Sequence, residues 1–192
     1  MEYKQEKKKI IKYLKKKIKQ KRFEHTMGTA SCAMEMAQIY GVDIIKAETA
    51  ALLHDCAKEL SDKAVIKKAI DYGFPLDEMY KKNPQLLHGA AAALVAKDKF
   101  KVEDEDILEA ICYHTVPKPG LSDLAKIIYV ADKIEPTRTF DDIKEIRDAV
   151  GKESLDTLFL MTLKRVKLSH ILNNKPLHPA SLETYNDMVS SL

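Results

Sequence analysis

Apolar residues recur along this chain every three or four positions, and nowhere do they alternate with polar ones over a strand's length. That period predicts helices almost throughout. The first covers about Glu2–Lys19, with Tyr3, Ile10, Leu14 and Ile18 on one face, and a second runs from about Arg22 to Tyr40 with the stripe Phe23, Met27, Ala30, Met34 and Ala37. Gly41 ends it, and Asp43 is placed to cap a third helix that carries His54 and Asp55. Ser61 opens a fourth, which reaches Tyr72 before Gly73 and Pro75 break it, and residues 73–87 read as irregular. Further helices are expected over about His88–Lys99, from Asp104 to near His114, and from Ser122 through Ile134, where Pro136 stops the chain. Val116–Gly120 reads as a turn. A charged helix over about Asp141–Val150, a long one over about Glu153–Leu172, the loop Asn173–Pro179 and a short last helix, Ser181–Met188, complete an all-α pattern.

The 192 residues suffice for one domain with a real core, and no run approaches the roughly 20 apolar residues that span a membrane. The charged N-terminal stretch lacks the apolar centre of a secretory signal, so none is expected. Cys32, Cys56 and Cys112 sit in apolar helical surroundings without paired spacing, which points to buried thiols in a reducing cytoplasm. The overall charge of +3 conceals an asymmetry: residues 1–22 carry +9 and the rest −6. A basic arm of this kind can serve nucleic acid, but its apolar stripe predicts a helix docked on the domain, and nucleic acid is the lesser reading.

Candidate chemistry centres on Ala50–Leu60, AALLHDCAKEL, an apolar stretch carrying His54 and Asp55 side by side. Burying an ionised carboxylate without a partner costs several kcal/mol, roughly, so packing alone rarely accounts for such a pair, whose ordinary alternative is a solvated helix end. His25, His88, His114 and Asp132 fall in similar settings. Taken singly, each has an ordinary alternative. His25 suits a hydrogen-bonded core histidine, and Asp132 a partner for Lys133 or Arg138. His88 suits a helix N-cap, and His114 a charge at a helix C-terminus. Together, imidazole and carboxylate suit Fe, Mn, Zn or Ni better than Mg or Ca. No CxxC or HxxxH spacing and no Gly-rich phosphate loop occurs, so ligands would come from separate helices and phosphates would be held by side chains and metal.

The order His25, His54–Asp55, Asp132 resembles the H…HD…D motif of the HD-domain superfamily of metal-dependent phosphohydrolases, here as RFEHTMGTA, LLHDCAKEL and IIYVADKIEPTR over about residues 20–140. More narrowly, HDCAKEL, QLLHGAAAA, CYHTV, ADKIEPTR, NNKPLHP and ETYN are similar to the YqeK family, bacterial hydrolases that split diadenosine tetraphosphate symmetrically into two ADP with iron. The resemblance implies a single-domain helical bundle over residues 1–192 with its metal site between helices. Residues 1–20 would form the basic helix, about 20–140 the metal-binding core, and 141–192 the C-terminal helices and nucleotide loop. It implies that His25, His54, Asp55 and Asp132 hold one or two transition-metal ions, iron foremost. Asp55, His88 and His114 would be catalytic, through water activated for attack on phosphorus. Substrate contacts would come from Lys58, His88, His114, Arg138, Lys175 and His178, with a dinucleoside polyphosphate as partner and ADP or GDP as product or analogue. No membrane partner is expected, and a homodimer stays open. Two other readings also stay open: another HD phosphohydrolase, such as a nucleotidase or cyclic-nucleotide phosphodiesterase, and a non-enzymatic nucleotide- or RNA-binding helical protein.

Overall fold

The computed structural model describes residues 2–140 and 142–191. Among them the chain forms eleven α-helices and no strand: α1 Glu2–Lys17, α2 Gln20–Tyr40, α3 Ile44–Leu53, α4 Asp62–Tyr72, α5 Glu78–Lys82, α6 His88–Phe100, α7 Glu105–Tyr113, α8 Asp123–Ile134, α9 Ile143–Ala149, α10 Leu155–Leu172 and α11 Pro179–Ser191. None is long and apolar enough to cross a membrane. The expected start of the charged helix at Asp141 lies outside the described residues, as do Met1 and Leu192.

The caps follow from side-chain chemistry. Asp43 accepts from the Ile45 and Lys46 amides, Asp104 from those of Asp106 and Ile107, Ser122 from Ala125 and Ser154 from Thr157. Several boundaries differ from the sequence reading. The first break falls at Lys17, and α2 begins at Gln20. The stretch expected to be irregular holds α5 and a 3-10 turn, Pro84–Leu87. Asp77 caps α5 by accepting from the Tyr80 amide at 2.8 Å, and Tyr80 is buried, so one capping carboxylate and one anchoring ring suffice for five helical residues. The long C-terminal helix starts at Leu155, with Ser154 at its cap, and the last helix runs from Pro179 to Ser191.

The correction that matters most is at α3, which ends at Leu53. His54 is its C-cap residue, and residues beyond it wind through successive three-residue turns, with Cys56 N–H donating to Leu53 O at 3.1 Å and Lys58 N–H to Asp55 O at 3.0 Å. The last carbonyls of a helix lack helical partners. The Ala51 carbonyl accepts from the His54 ring at 2.6 Å, so the imidazole caps the helix that carries it.

The core is built by α2 on α3 and α8, α6 on α7 and α4, and α10 against α8. Leu52, Leu53, Leu87, Leu108, Ile111, Ile127 and Ile128 fill it, and Tyr129 meets Phe159 edge-on at 5.1 Å. The basic α1 lies on α3, burying Ile10 and Leu14, with Ile18 buried just past its end, and placing Tyr3 and Lys7 on the buried Glu48 carboxylate. Gly89 lies where α6 passes α7. A Cβ there would stand 2.4 Å from the Cys112 carbonyl oxygen, so only glycine allows this approach, which brings His88 against His114.

Candidate metal centre

Three histidines are set by one device. His54 and His114 are the C-cap residues of α3 and α7, and His88 is the first residue of α6. Each donates from Nδ1 to the main-chain carbonyl three residues earlier: His54 to Ala51 at 2.6 Å, His114 to Ile111 at 2.7 Å, and His88 to Gln85. A carbonyl only accepts, so Nδ1 carries the proton and Nε2 is the free donor atom in all three rings. His25, in the second turn of α2, reaches the same state through a carboxylate, with Nδ1 2.9 Å from Glu135 Oε1. Outer partners of this kind fix the tautomer and orientation of metal-binding histidines.

The four Nε2 atoms face two carboxylates. Asp55 Oδ1 lies 3.1 Å from His88 Nε2 and 3.6 Å from His114 Nε2, while its Oδ2 lies 3.4 Å from His54 Nε2 and 3.6 Å from His25 Nε2. Asp132 Oδ1 is 2.9 Å from His25 Nε2 and 3.9 Å from His54 Nε2. All six side chains are buried. Donor atoms of His25, His54 and Asp55, of His54, His114 and Asp132, and of Asp55, His88 and His114 each lie within 4.8 Å of one another.

The site fits a cation on three grounds. His54 Nε2 is buried and has no hydrogen-bond partner among the described residues, which is costly for a polar atom unless a ligand uses it. The Nε2 atoms of His88 and His114 stand 3.0 Å apart, although both rings already carry their proton on Nδ1. The Thr115 hydroxyl is within 3.0 and 3.1 Å of the two, but its single proton serves only one of them. Burial lowers the pKa of His114 to about 3, which disfavours a proton on that ring, and a bound cation would resolve the contact. Finally, burial alone would raise the carboxyls, yet His54 and His114 hold Asp55 well below the usual carboxylate range, and Lys133 and His25 do the same for Asp132. Both stay ionised, the form that binds metal. Burial opposes charge on His54, but Asp55 and Asp132 outweigh it and raise its pKa, so the metal competes there with a proton.

The structure thus brings His25, His54, Asp55, His88, His114 and Asp132 together. Lys58 joins them, its ammonium 3.2 Å from His88 Nδ1, with burial lowering its pKa. Arg138 pairs with Asp132, one of the two places the sequence allowed it. Its Nε donates to the Asp132 carbonyl at 2.9 Å and one terminal nitrogen to Asp132 Oδ1 at 2.8 Å. Lys175 is exposed and lines a cavity together with Lys133 and Arg138. His178 packs instead on Tyr80, ring centres 4.2 Å apart, with Nε2 3.0 Å from Asp77, and so fastens the C-terminal loop to α5.

Two partners of the cluster, Arg22 and Glu135, escaped the sequence reading, while a third, Lys133, stands beside Asp132 as that reading allowed. Arg22 donates to Asp55 Oδ2 at 2.7 Å, and its position one helical turn before His25 was the available signal. Lys133 bonds Asp132 Oδ2. Glu135 is fully buried, although a glutamate just before a proline at a helix end reads as an ordinary surface residue.

With the geometry in place, comparison with known proteins is informative. The HD domain family model matches residues 22–137, which begin at Arg22 and take in the whole cluster. The chain is 36% identical to the symmetrical bis(5'-nucleosyl)-tetraphosphatase of Bacillus subtilis over 92% of this chain and 94% of that one. It is 33% identical to the enzyme of the same description from Halalkalibacterium halodurans, over 94% and 96%. A crystal structure from Clostridium acetobutylicum, described as a predicted HD superfamily hydrolase involved in NAD metabolism, superimposes with a TM-score of 0.91 at 37% identity, covering 96% of this chain and 97% of that one.

Proposed function

This chain belongs to the HD-domain family, and we propose that it is a metal-dependent hydrolase of dinucleoside polyphosphates that cuts diadenosine tetraphosphate symmetrically into two ADP. The observation that carries the reading is the six-residue cluster, in which the two oxygens of Asp55 face different histidine pairs. Full-length similarity to two symmetrical tetraphosphatases supports the choice of substrate.

In this reading His25, His54, Asp55 and Asp132 would hold one ion, and His88 and His114 with Asp55 could hold a second. The mixed imidazole and carboxylate donors suit iron and its first-row neighbours. When bound, the metal supplies Lewis-acid neutralisation at a phosphoryl oxygen and acidifies a water towards neutral pH. The chain supplies orientation and charge. The main-chain carbonyls and Glu135 hold the four rings in one tautomer. Arg22 donates to Asp55 Oδ2, which favours the ionised carboxylate, so Asp55 can accept a hydrogen bond from the attacking water. Lys58, beside His88, and the Lys133 and Arg138 cations, beside Asp132, face the nonbridging oxygens as charge moves onto them. The three cysteines are free thiols, which suits a reducing cytoplasm.

The test is metal analysis of the purified protein combined with a product-resolved assay. Iron or a neighbouring transition metal, with ADP as the only nucleotide released from diadenosine tetraphosphate, is expected. AMP or inorganic phosphate as the first product, or no turnover with any first-row metal, overturns the reading. Because the Clostridium relative is described with NAD metabolism, NAD and other dinucleotide pyrophosphates belong in the same substrate panel as the second reading.

A further inference from the structure

Helix α1 has two chemically opposite sides. Ile10 and Leu14 are buried against the domain, and Tyr3 and Lys7 meet Glu48 on that side. Lys4, Lys8, Lys12 and Lys16 follow one another at four-residue spacing on the side turned away, and all four are exposed. Their neighbours are occupied: Lys7 by Glu48, Lys19 by Glu59 at 3.4 Å, and Lys15 by the Phe23 ring, 5.6 Å from its centre. The four lysines of the outer stripe have no carboxylate partner among the described residues. Like charges four apart on a helix repel and destabilise it, so the stripe does nothing for the helix that carries it. The charge is also local. Residues 1–22 carry +9 and the rest of the chain −6, which concentrates attraction for a polyanion on this one side.

Three features select the partner. The stripe consists of ammonium groups, with no arginine fork and no exposed aromatic ring on α1, so it neither reads base edges nor stacks bases. Lys4 to Lys16 spans about 18 Å of helix, along which a nucleic-acid duplex presents roughly ten phosphate charges. The apolar side of α1 is already buried on the domain, whereas a helix that lies in a membrane surface puts that side into the lipid. We propose that the outward side of α1 docks a nucleic-acid duplex, its phosphates held by Lys4, Lys8, Lys12 and Lys16 without regard to sequence. The apolar stripe does not compete with this role, because it uses the opposite side of the helix and leaves the lysines facing water. The proposal stands independently of the hydrolase reading.

The experiment measures fluorescence anisotropy of labelled RNA and DNA duplexes, two unrelated sequences of each, titrated with the metal-loaded, full-length protein from about 50 to about 200 mM salt. All four duplexes are expected to bind within about fivefold of one another, since phosphate contacts carry no sequence information. The logarithm of affinity should fall against that of salt with a slope of about −3 to −4, the value for four phosphate contacts. Replacing the stripe together, Lys4→Gln, Lys8→Gln, Lys12→Gln and Lys16→Gln, should weaken binding at least about tenfold and flatten that slope, with melting temperature and turnover unchanged. A control with the same change in net charge, Lys63→Gln, Lys82→Gln, Lys152→Gln and Lys164→Gln, should bind within about threefold of the unaltered protein, because exposed charges farther apart than a Debye length are screened. The proposal is overturned if the unaltered protein binds no duplex at the lowest salt, if the stripe variant binds as the unaltered protein does, or if the control loses as much as the stripe variant. It is also overturned if phosphatidylcholine vesicles with about one-third phosphatidylserine bind the protein more tightly than the duplexes do, which would assign the stripe to a membrane surface. The salt slope of the unaltered protein tests the proposal without any variant.

Discussion

Glu135 Oε1 stands 2.9 Å from His25 Nδ1, on the side of the ring opposite Asp132. The glutamate is fully buried and is itself held by the Thr137 amide at 2.7 Å and the Thr137 hydroxyl. Gly28 leaves it room, since a Cβ there would meet Glu135 Oε2 at 2.5 Å. A carboxylate behind a ligating imidazole fixes its tautomer and strengthens it as a donor. Glu135→Ala is therefore expected to lower metal affinity by about 10- to 100-fold with helical content retained. Competition with a chelator, followed by metal analysis, measures this, and wild-type affinity in the variant would show that Glu135 merely fills space.

Gly89→Ala tests the approach of α6 to α7. The added methyl meets the Cys112 carbonyl, a backbone atom that cannot swing aside. Overpacking of this kind costs roughly 1–3 kcal/mol. The expected outcome is a lower melting temperature together with fewer ions bound per chain, because His88 moves away from His114. A variant that melts early yet keeps its full metal stoichiometry would separate the packing from the site.

Lys58 is placed against the His88 ring and donates to no carboxylate among the described residues. Lys58→Met is expected to leave metal content unchanged and to reduce kcat/KM on diadenosine tetraphosphate by about 10- to 1000-fold, equivalent to ~1.5–4 kcal/mol for a charge-assisted phosphate contact. Steady-state kinetics with parallel metal analysis checks both halves of the statement. Full activity would return Lys58 to an ordinary half-buried lysine.

Helix α1 is expected to act on stability rather than chemistry. It buries Ile10 and Leu14, with Ile18 buried just past its end, and satisfies Glu48 through Tyr3 and Lys7. Deleting residues 1–18 exposes that face and leaves Glu48 without these partners, so the melting temperature should fall while kcat at saturating substrate changes little. A deletion that folds with normal stability but loses turnover would contradict this.

Lys167 carries the clearest pH signature. It is 6% exposed, and its ammonium donates to the Ser181 hydroxyl. Burial pushes its pKa down from 10.5 to about 8. Between about 8 and 10.5 the unfolded chain therefore binds more protons than the folded one, and stability attributable to this residue rises with pH across that window. Lys167→Met should melt higher than the unaltered protein at pH 7, and the difference should shrink as pH rises from 8 towards 10.5. Melting curves of the two proteins in parallel isolate this group from every other group the two share. A difference that stays constant with pH would place the Lys167 ammonium in water.

The sequence by itself determined the all-α architecture, most caps and the order of four candidate metal ligands, because helical period and capping are local and an H…HD…D order survives as spacing along the chain. It also placed α1 on the domain through a stripe of four residues. What it could not convey is which atoms meet. His25 and Glu135 are 110 positions apart, and their contact exists only because α2 packs on α8. Arg138 follows a proline beyond α8, which leaves both phosphate and Asp132 open to its fork, and the turn folds its guanidinium back onto Asp132. His178 shares a loop with Lys175, but it is drawn to Tyr80 and Asp77 while Lys175 faces the cavity, a divergence set by what each side chain finds nearby. The division of Asp55 between two histidine pairs was likewise decided by tertiary structure: α3 stops at Leu53, before both residues it was expected to carry, capped by the His54 ring, and the turn that follows aims the carboxylate between helices that are distant in sequence.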